Sequence, residues 1–231
     1  MLAALLAFGP PLVSGVALLV PSDARASVSI AVAFEALVKD ADAVGIITPV
    51  ESKSVWEDGR IYTYTRVKVD QGVAGALPTG AEGWVRTMGG VVGKIGQLVD
   101  GEAVLTINKP SLVFMRKFAI AAAREKEARP SSPTGIWEVS ARAQGQYPVT
   151  VGESFRDTTK GRRVMRSAAV GVLLPPKAAQ QADSFAAPAD APRPRLAGEV
   201  LHDRPLDEVT REVADTWKKL HPAPAPSDAK K

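Results

Sequence analysis

The sequence predicts a mainly β protein: a small barrel of five or six strands, preceded by a short helix and followed by an amphipathic one. Three observations carry this. Between residues 44 and 151, short stretches rich in Val, Ile, Thr and Tyr are punctuated by Gly and Pro, with almost no helical periodicity between them. Glu57-Asp58-Gly59 sits between two such stretches, and Asp-Gly tolerates the positive φ angles of a tight hairpin. Strong helical spacing returns only at Leu206 to Leu220.

The chain opens on an address. Leu2 to Val20 is almost wholly apolar, Pro21 ends the run, and Ala24-Arg25-Ala26 supplies the small–x–small pattern of a signal-peptidase site, with cleavage between Ala26 and Ser27. The rival reading, a membrane anchor, needs about 20 uninterrupted apolar residues. Gly9-Pro10-Pro11 splits the run and leaves Leu12 to Val20 as the hydrophobic region of a signal. Residues 1–26 are therefore expected to be removed from an exported, periplasmic or extracellular protein. Its net charge of +4 is modest, and Lys160-Gly161-Arg162-Arg163 with Arg166 is its densest source, read as a solvated turn. Cysteine is absent, which excludes disulfides, thiolate metal sites, a cysteine nucleophile and a lipid-modified N-terminus.

The barrel domain is expected over 27–176. Ile30 to Ala41 reads as a short helix with Val32, Phe34, Leu37 and Val38 on its apolar side. Val44 to Glu51 alternates as a half-buried strand, in which Pro49 marks an edge or a bulge. Arg60 to Asp70 alternates most clearly. Ile61, Thr63, Thr65, Val67 and Val69 share one face, and Tyr62, Tyr64, Arg66, Lys68 and Asp70 the other. Further strands are expected at Gly83 to Thr87, Ser111 to Lys117, Gly135 to Arg142 and Tyr147 to Val151, and one more between Arg163 and Leu174. Ala119 to Arg129 reads as a helical excursion or a solvated loop.

Residues 177–205 contain eight Ala and four Pro, too little apolar bulk to offset ordering entropy, and read as a linker. In 206–221, Leu206, Val209, Val213, Trp217 and Leu220 form one stripe, while Asp207–Arg211 and Asp215–Lys219 are spaced to pair outside. The stripe is expected to dock back on the barrel. Residues 222–231 read as a disordered tail.

No catalytic motif survives inspection. His202 and His221 flank the last helix and are expected to be solvated. Neither H-E-x-x-H nor G-x-S-x-G occurs, and Gly93-Lys94 lacks both the first glycine and the Ser or Thr of a phosphate loop. No metal, cofactor or catalytic residue is assigned. Two places depart from plain core-and-solvent patterning. Gly89, Gly90, Gly93 and Gly96 lie within eight residues after a strand, as in a binding loop or a bulged connection that closes a barrel. Trp56 with Tyr62, Tyr64 and Arg66 is expected to share the outside of one hairpin, a surface for a protein or saccharide of the envelope rather than for nucleic acid.

Ala41-Asp42-Ala43-Val44-Gly45, Glu57 to Tyr64, and the block Arg86 to Gln97 resemble a family of exported bacterial proteins of unassigned function, as does Ala143-Gln144-Gly145. The order of elements is also similar to netrin-like barrels, the oligonucleotide-binding (OB) type fold of tissue inhibitors of metalloproteinases. The resemblance implies an OB-like barrel. It also implies a protease-inhibitor-like alternative, but Ser27 stands where those inhibitors place the zinc-chelating cysteine. The leading expectation is a non-catalytic binding module; a third is an enzyme built on carboxylates such as Glu153 and Asp157.

Overall fold

A computed structural model describes residues 28–118, 135–152, 161–177 and 193–222. In chain order its elements are β1 (Val28–Ile30), α1 (Phe34–Asp40), β2 (Ala43–Glu57), β3 (Arg60–Gly75), β4 (Glu82–Met88), β5 (Gly90–Val92), β6 (Ile95–Gln97) and β7 (Ser111–Lys117). After these come β8 (Ile136–Val139), β9 (Gln146–Gly152), β10 (Gly161–Val164), β11 (Val172–Leu174), α2 (Ala197–Leu201), β12 (Arg204–Pro205) and α3 (Leu206–Leu220). The signal and its cleavage site at Ala26 and Ser27, the Ala119 to Arg129 excursion, Glu153, Asp157 and nearly all of the tail lie outside the described residues.

The fold is mainly β, as expected. One large sheet runs β12-β10-β9-β7-β2-β3-β4-β8, and β7 pairs again with β8. Pairing therefore returns on itself through β2, β3, β4, β8 and β7. The β4–β8 pair is parallel, whereas the ring's other pairs are antiparallel. β7 makes this possible by splitting one edge between two partners, β9 against Ser111–Val113 and β8 against Met115–Lys117.

The hairpin at Asp58-Gly59 takes the expected form. Both residues have positive φ, 50° and 75°, as a two-residue turn matched to strand twist requires. β2 is longer than its alternation suggested and is buried on both faces at Ala43 to Ile47, where helix covers one side and the ring interior the other. Pro49 falls beyond the β2–β7 pairing and at a register shift against β3, so its missing N–H breaks no ladder.

Two apolar layers hold the molecule. Inside the ring, Ile47, Val67, Val69, Val85, Val113, Met115, Trp137 and Val139 pack together. Outside it, Phe34, Leu37 and Val38 of α1 join Leu112, Phe114 and Tyr147 with Val209 and Val213 of α3. Each such side chain contributes about 1.5–3 kcal/mol on full burial. The terminal stripe thus docks on the sheet. The expected linker 177–205 is corrected at its described end: Ala197 and Leu201 are buried, because α2 fills the outer layer between α1 and β10.

The basic cluster is corrected too. Gly161–Val164 is a strand rather than a solvated turn, and Arg163 is buried with its Nε 3.1 Å from Asp203 Oδ1. The pair fastens β10 to the turn before β12. Around α3 the pairing runs from Arg204 of β12 to Glu208 and from Asp215 to Lys218, rather than at the expected spacings. Among the described residues no helix is long and apolar enough to cross a membrane.

Candidate functional site

β4 leaves the ring at Met88, and the chain folds back as the β5–β6 hairpin. Gly89 N–H donates to Ile61 O (2.8 Å), Gln97 Oε1 accepts from Ile61 N–H (2.8 Å), and Thr63 Oγ1 donates to Gly89 O (2.7 Å). Gly90 lies so close to the β2–β3 ribbon that a Cβ there would stand 2.3 Å from Thr63 Oγ1 and 2.4 Å from Ser54 Oγ. All four glycines of the block, Gly89, Gly90, Gly93 and Gly96, sit on this hairpin. The close approach at Gly90 is a packing requirement that no larger side chain meets.

Residues 98–107 then run along the same end of the ring. Gln146 fixes them by accepting from Val104 N–H (2.9 Å) and donating to Val104 O (2.6 Å). Between this segment and the hairpin lies a groove of about 220 Å³. Thr63, Thr65 and Thr87 form its floor, and Leu98, Val99, Val104 and Leu105 its rim. Large apolar side chains are exposed nearby. Trp56, Val91, Ile95, Leu98 and Val104 are exposed, with Leu98 85 % accessible.

The aromatic face expected on the β2–β3 hairpin does not exist as one surface. With a two-residue turn, Trp56 pairs with Ile61 and so stands on the opposite face from Tyr62 and Tyr64. Tyr64 is fully buried instead of exposed, beneath Val55, Ile136, Trp84 and Phe118. Its hydroxyl donates to Glu57 Oε2 (2.6 Å), and burial, followed by that hydrogen bond, pushes its pKa up to about 12. Arg66 is satisfied at the surface by Glu51 (2.8 Å) and Glu82 (2.9 Å). Tyr62 remains half-buried, its ring 3.5 Å below the guanidinium of Arg86.

Arg86 is the residue that sequence reasoning missed. Its guanidinium lies between the rings of Tyr62 and Phe118 and donates to Glu138 (2.7 Å) and Glu57 (3.2 Å). Burial alone would lower its pKa; the field of Glu57 leads the effects that more than offset this, so Arg86 stays charged. Its Nε is buried without a partner among the described residues. No local pattern signals it, because its partners come from long-range register. Arg86 stands opposite Tyr64 on β3 and Glu138 on β8, so three polar groups share one wall.

Beside this wall lies a second cleft of about 220 Å³, lined by Tyr62, Arg86, Glu102, Arg116, Glu138 and Arg142 among others. Burial raises the pKa of Glu102 above the usual 4.5, although Ala103 N–H (3.1 Å) and Arg142 favour its charged form. Glu138 meets Arg86 and, at 3.7 Å, Arg116. The arrangement offers carboxylate acceptors alternating with guanidinium donors. No histidine lines the cleft, and among the described residues no group of three or more acidic or histidine side chains is placed to hold a metal.

His202 is not simply solvated: its Nδ1 accepts Arg166 N–H (3.1 Å) at the end of α2. His221 stacks on Trp217 with ring centres 3.9 Å apart. The first described residues, Val28–Ile30, pair with Val172–Leu174 rather than with the glycine hairpin. No family model matches the chain, and no curated protein or solved structure matches it.

Proposed function

We propose that this is a non-catalytic binding module of the cell envelope, and that the β5–β6 hairpin with residues 98–107 is its partner surface. The observation that supports the reading is the concentration of exposed large apolar side chains at that end. Leu98 and Val104 line the groove, Val91 and Ile95 are exposed on the β5–β6 hairpin and Trp56 on the β2 strand beside it, and side-chain hydrogen bonds from Gln97 and Gln146 hold the backbone there. A fixed backbone presenting apolar side chains binds with little ordering cost. A protein partner suits this rim better than a polar ligand does.

The proposal extends to the scaffold. Numbered within the ring, β2, β3, β4, β7 and β8 are strands one to five, and the pairing order is 1-2-3-5-4 returning to 1, with strands three and five parallel. We read this as a small OB-type barrel, consistent with the netrin-like resemblance. Export of the chain with removal of residues 1–26 belongs to the same proposal.

The test is capture from envelope extract by the chain lacking residues 1–26, wild type against a Leu98→Ser/Val104→Ser variant. The reading expects one or more proteins retained by wild type and lost with the variant while its melting temperature is unchanged. Equal capture by both would place the surface elsewhere.

A further inference from the structure

We infer that the cleft between β4, β8 and the Arg142 turn is a binding site for a neutral oligosaccharide, adjoining the groove at the apolar end of the ring, with which it shares Thr87, Met88 and Glu102, but not lined by Leu98 or Val104. Three features point there. The first is partial charge balance: Arg86, Arg116 and Arg142 line the cleft with Glu102 and Glu138, and Glu57, buried behind the wall, pairs with Arg86, which moderates the net pull on an ion. What it offers is local, with carboxylate oxygens and guanidinium N–H groups alternating along one wall. Hydroxyls on adjacent ring carbons each donate and accept, and that pattern matches them.

The second feature is loose pairing on the open side. Arg116 is 3.7 Å from Glu138 and Arg142 is 4.0 Å from Glu102, and both arginines are about half exposed. These distances leave donors available to a ligand, whereas the floor pair Arg86–Glu138 at 2.7 Å is closed and rigid. The third feature is strain. Ala141 and Arg142 hold φ of 53° and 54°, a strained left-handed conformation for residues other than glycine, in the turn that brings Arg142 to the cleft.

Size sets the ligand. At about 220 Å³ the cleft is below the ~300–1,000 Å³ of a drug-sized site, enough for one sugar ring. Arg116, Val139 and Arg142 also wall an adjoining groove of about 430 Å³ that continues past Gly101 and Gln144 to Ser29. The two make one track for further rings of a chain.

The experiment is titration of the folded chain, followed by amide NMR, with the neutral tetrasaccharides of β-1,4-glucose, mannose, xylose and N-acetylglucosamine, and with citrate and phosphate. The expected result is saturable shifts at Glu102, Glu138 and Arg142 for at least one tetrasaccharide at millimolar concentration. An Arg116→Ala/Arg142→Ala variant, altered only at half-exposed positions, should weaken binding about tenfold or more with its spectrum otherwise native. Leu98→Ser/Val104→Ser should leave sugar binding intact, which separates this site from the protein surface. No response to any tetrasaccharide, response to citrate or phosphate alone, or full affinity in the double-arginine variant would overturn the inference.

Discussion

The hydroxyl of Tyr64 donates to Glu57 Oε2 at 2.6 Å in a wall where neither residue meets solvent. Glu57 also accepts from Arg86, so a phenol, a carboxylate and a guanidinium form one buried chain of hydrogen bonds. Because the folded state holds the Tyr64 phenol neutral up to about pH 12, its contribution is complete below its ordinary pKa of 10.0 and is lost as pH rises from there through 12. Tyr64→Phe is expected to cost about 1–2 kcal/mol at neutral pH and to flatten the loss of stability in that alkaline window. Urea melts of both proteins across pH 8 to 12 measure it; an unchanged alkaline slope would contradict the assignment.

The sign is the same for Glu102, in a lower window. Its raised pKa means the folded state pays to ionise it, so stability is fully present below the usual 4.5 and falls as pH rises through the shifted value. Glu102→Gln should therefore be more stable than wild type at pH 7 and no more stable at pH 4, read from thermal melts. A variant destabilised at pH 7 but not at pH 4 would mean that the Arg142 contact outweighs burial.

Gly90→Ala should destabilise strongly, since the added carbon meets Ser54 and Thr63 hydroxyls below 2.5 Å at a φ of +134°. Gly96→Ala, whose nearest new contact is 3.7 Å, should stay within about 0.5 kcal/mol of wild type. Equal costs would remove the packing explanation for the first glycine pair.

Arg163→Ala removes a buried ion pair with Asp203 and the Arg163 hydrogen bond to Asp203 O, and should cost about 3–5 kcal/mol. Arg162→Ala, one residue away and exposed, should be nearly silent. Denaturant midpoints of the two variants check the contrast.

Much of this fold was legible in local pattern. Ser111–Lys117, the Asp58-Gly59 hairpin and the Leu206 stripe followed from spacing, because each satisfies its own backbone or buries its own face. The Trp56 misplacement was avoidable: a two-residue turn fixes Trp56 opposite Ile61, and alternation does the rest. What spacing lacked was long-range pairing. Nothing near Met115 announces that it pairs with Val139, yet this contact returns the sheet on itself and places Arg86, Glu138 and Arg116 on one wall. Alternation alone puts Tyr64 on an exposed face for the same reason, since its cover comes from Ile136 and Phe118, far along the chain. Ala/Pro composition misjudged 193–205 because a short helix needs only Ala197 and Leu201 to dock.

The central claim, that partners bind at the glycine hairpin end, is tested most directly by site-specific photo-crosslinking. A photoreactive side chain replaces Leu98 in one chain and Lys68, exposed on the opposite face of β3, in another. After irradiation in envelope extract, the account predicts a discrete protein adduct at position 98 and none at position 68. An adduct at 68 alone, or none at 98 in a chain that remains folded, would contradict it.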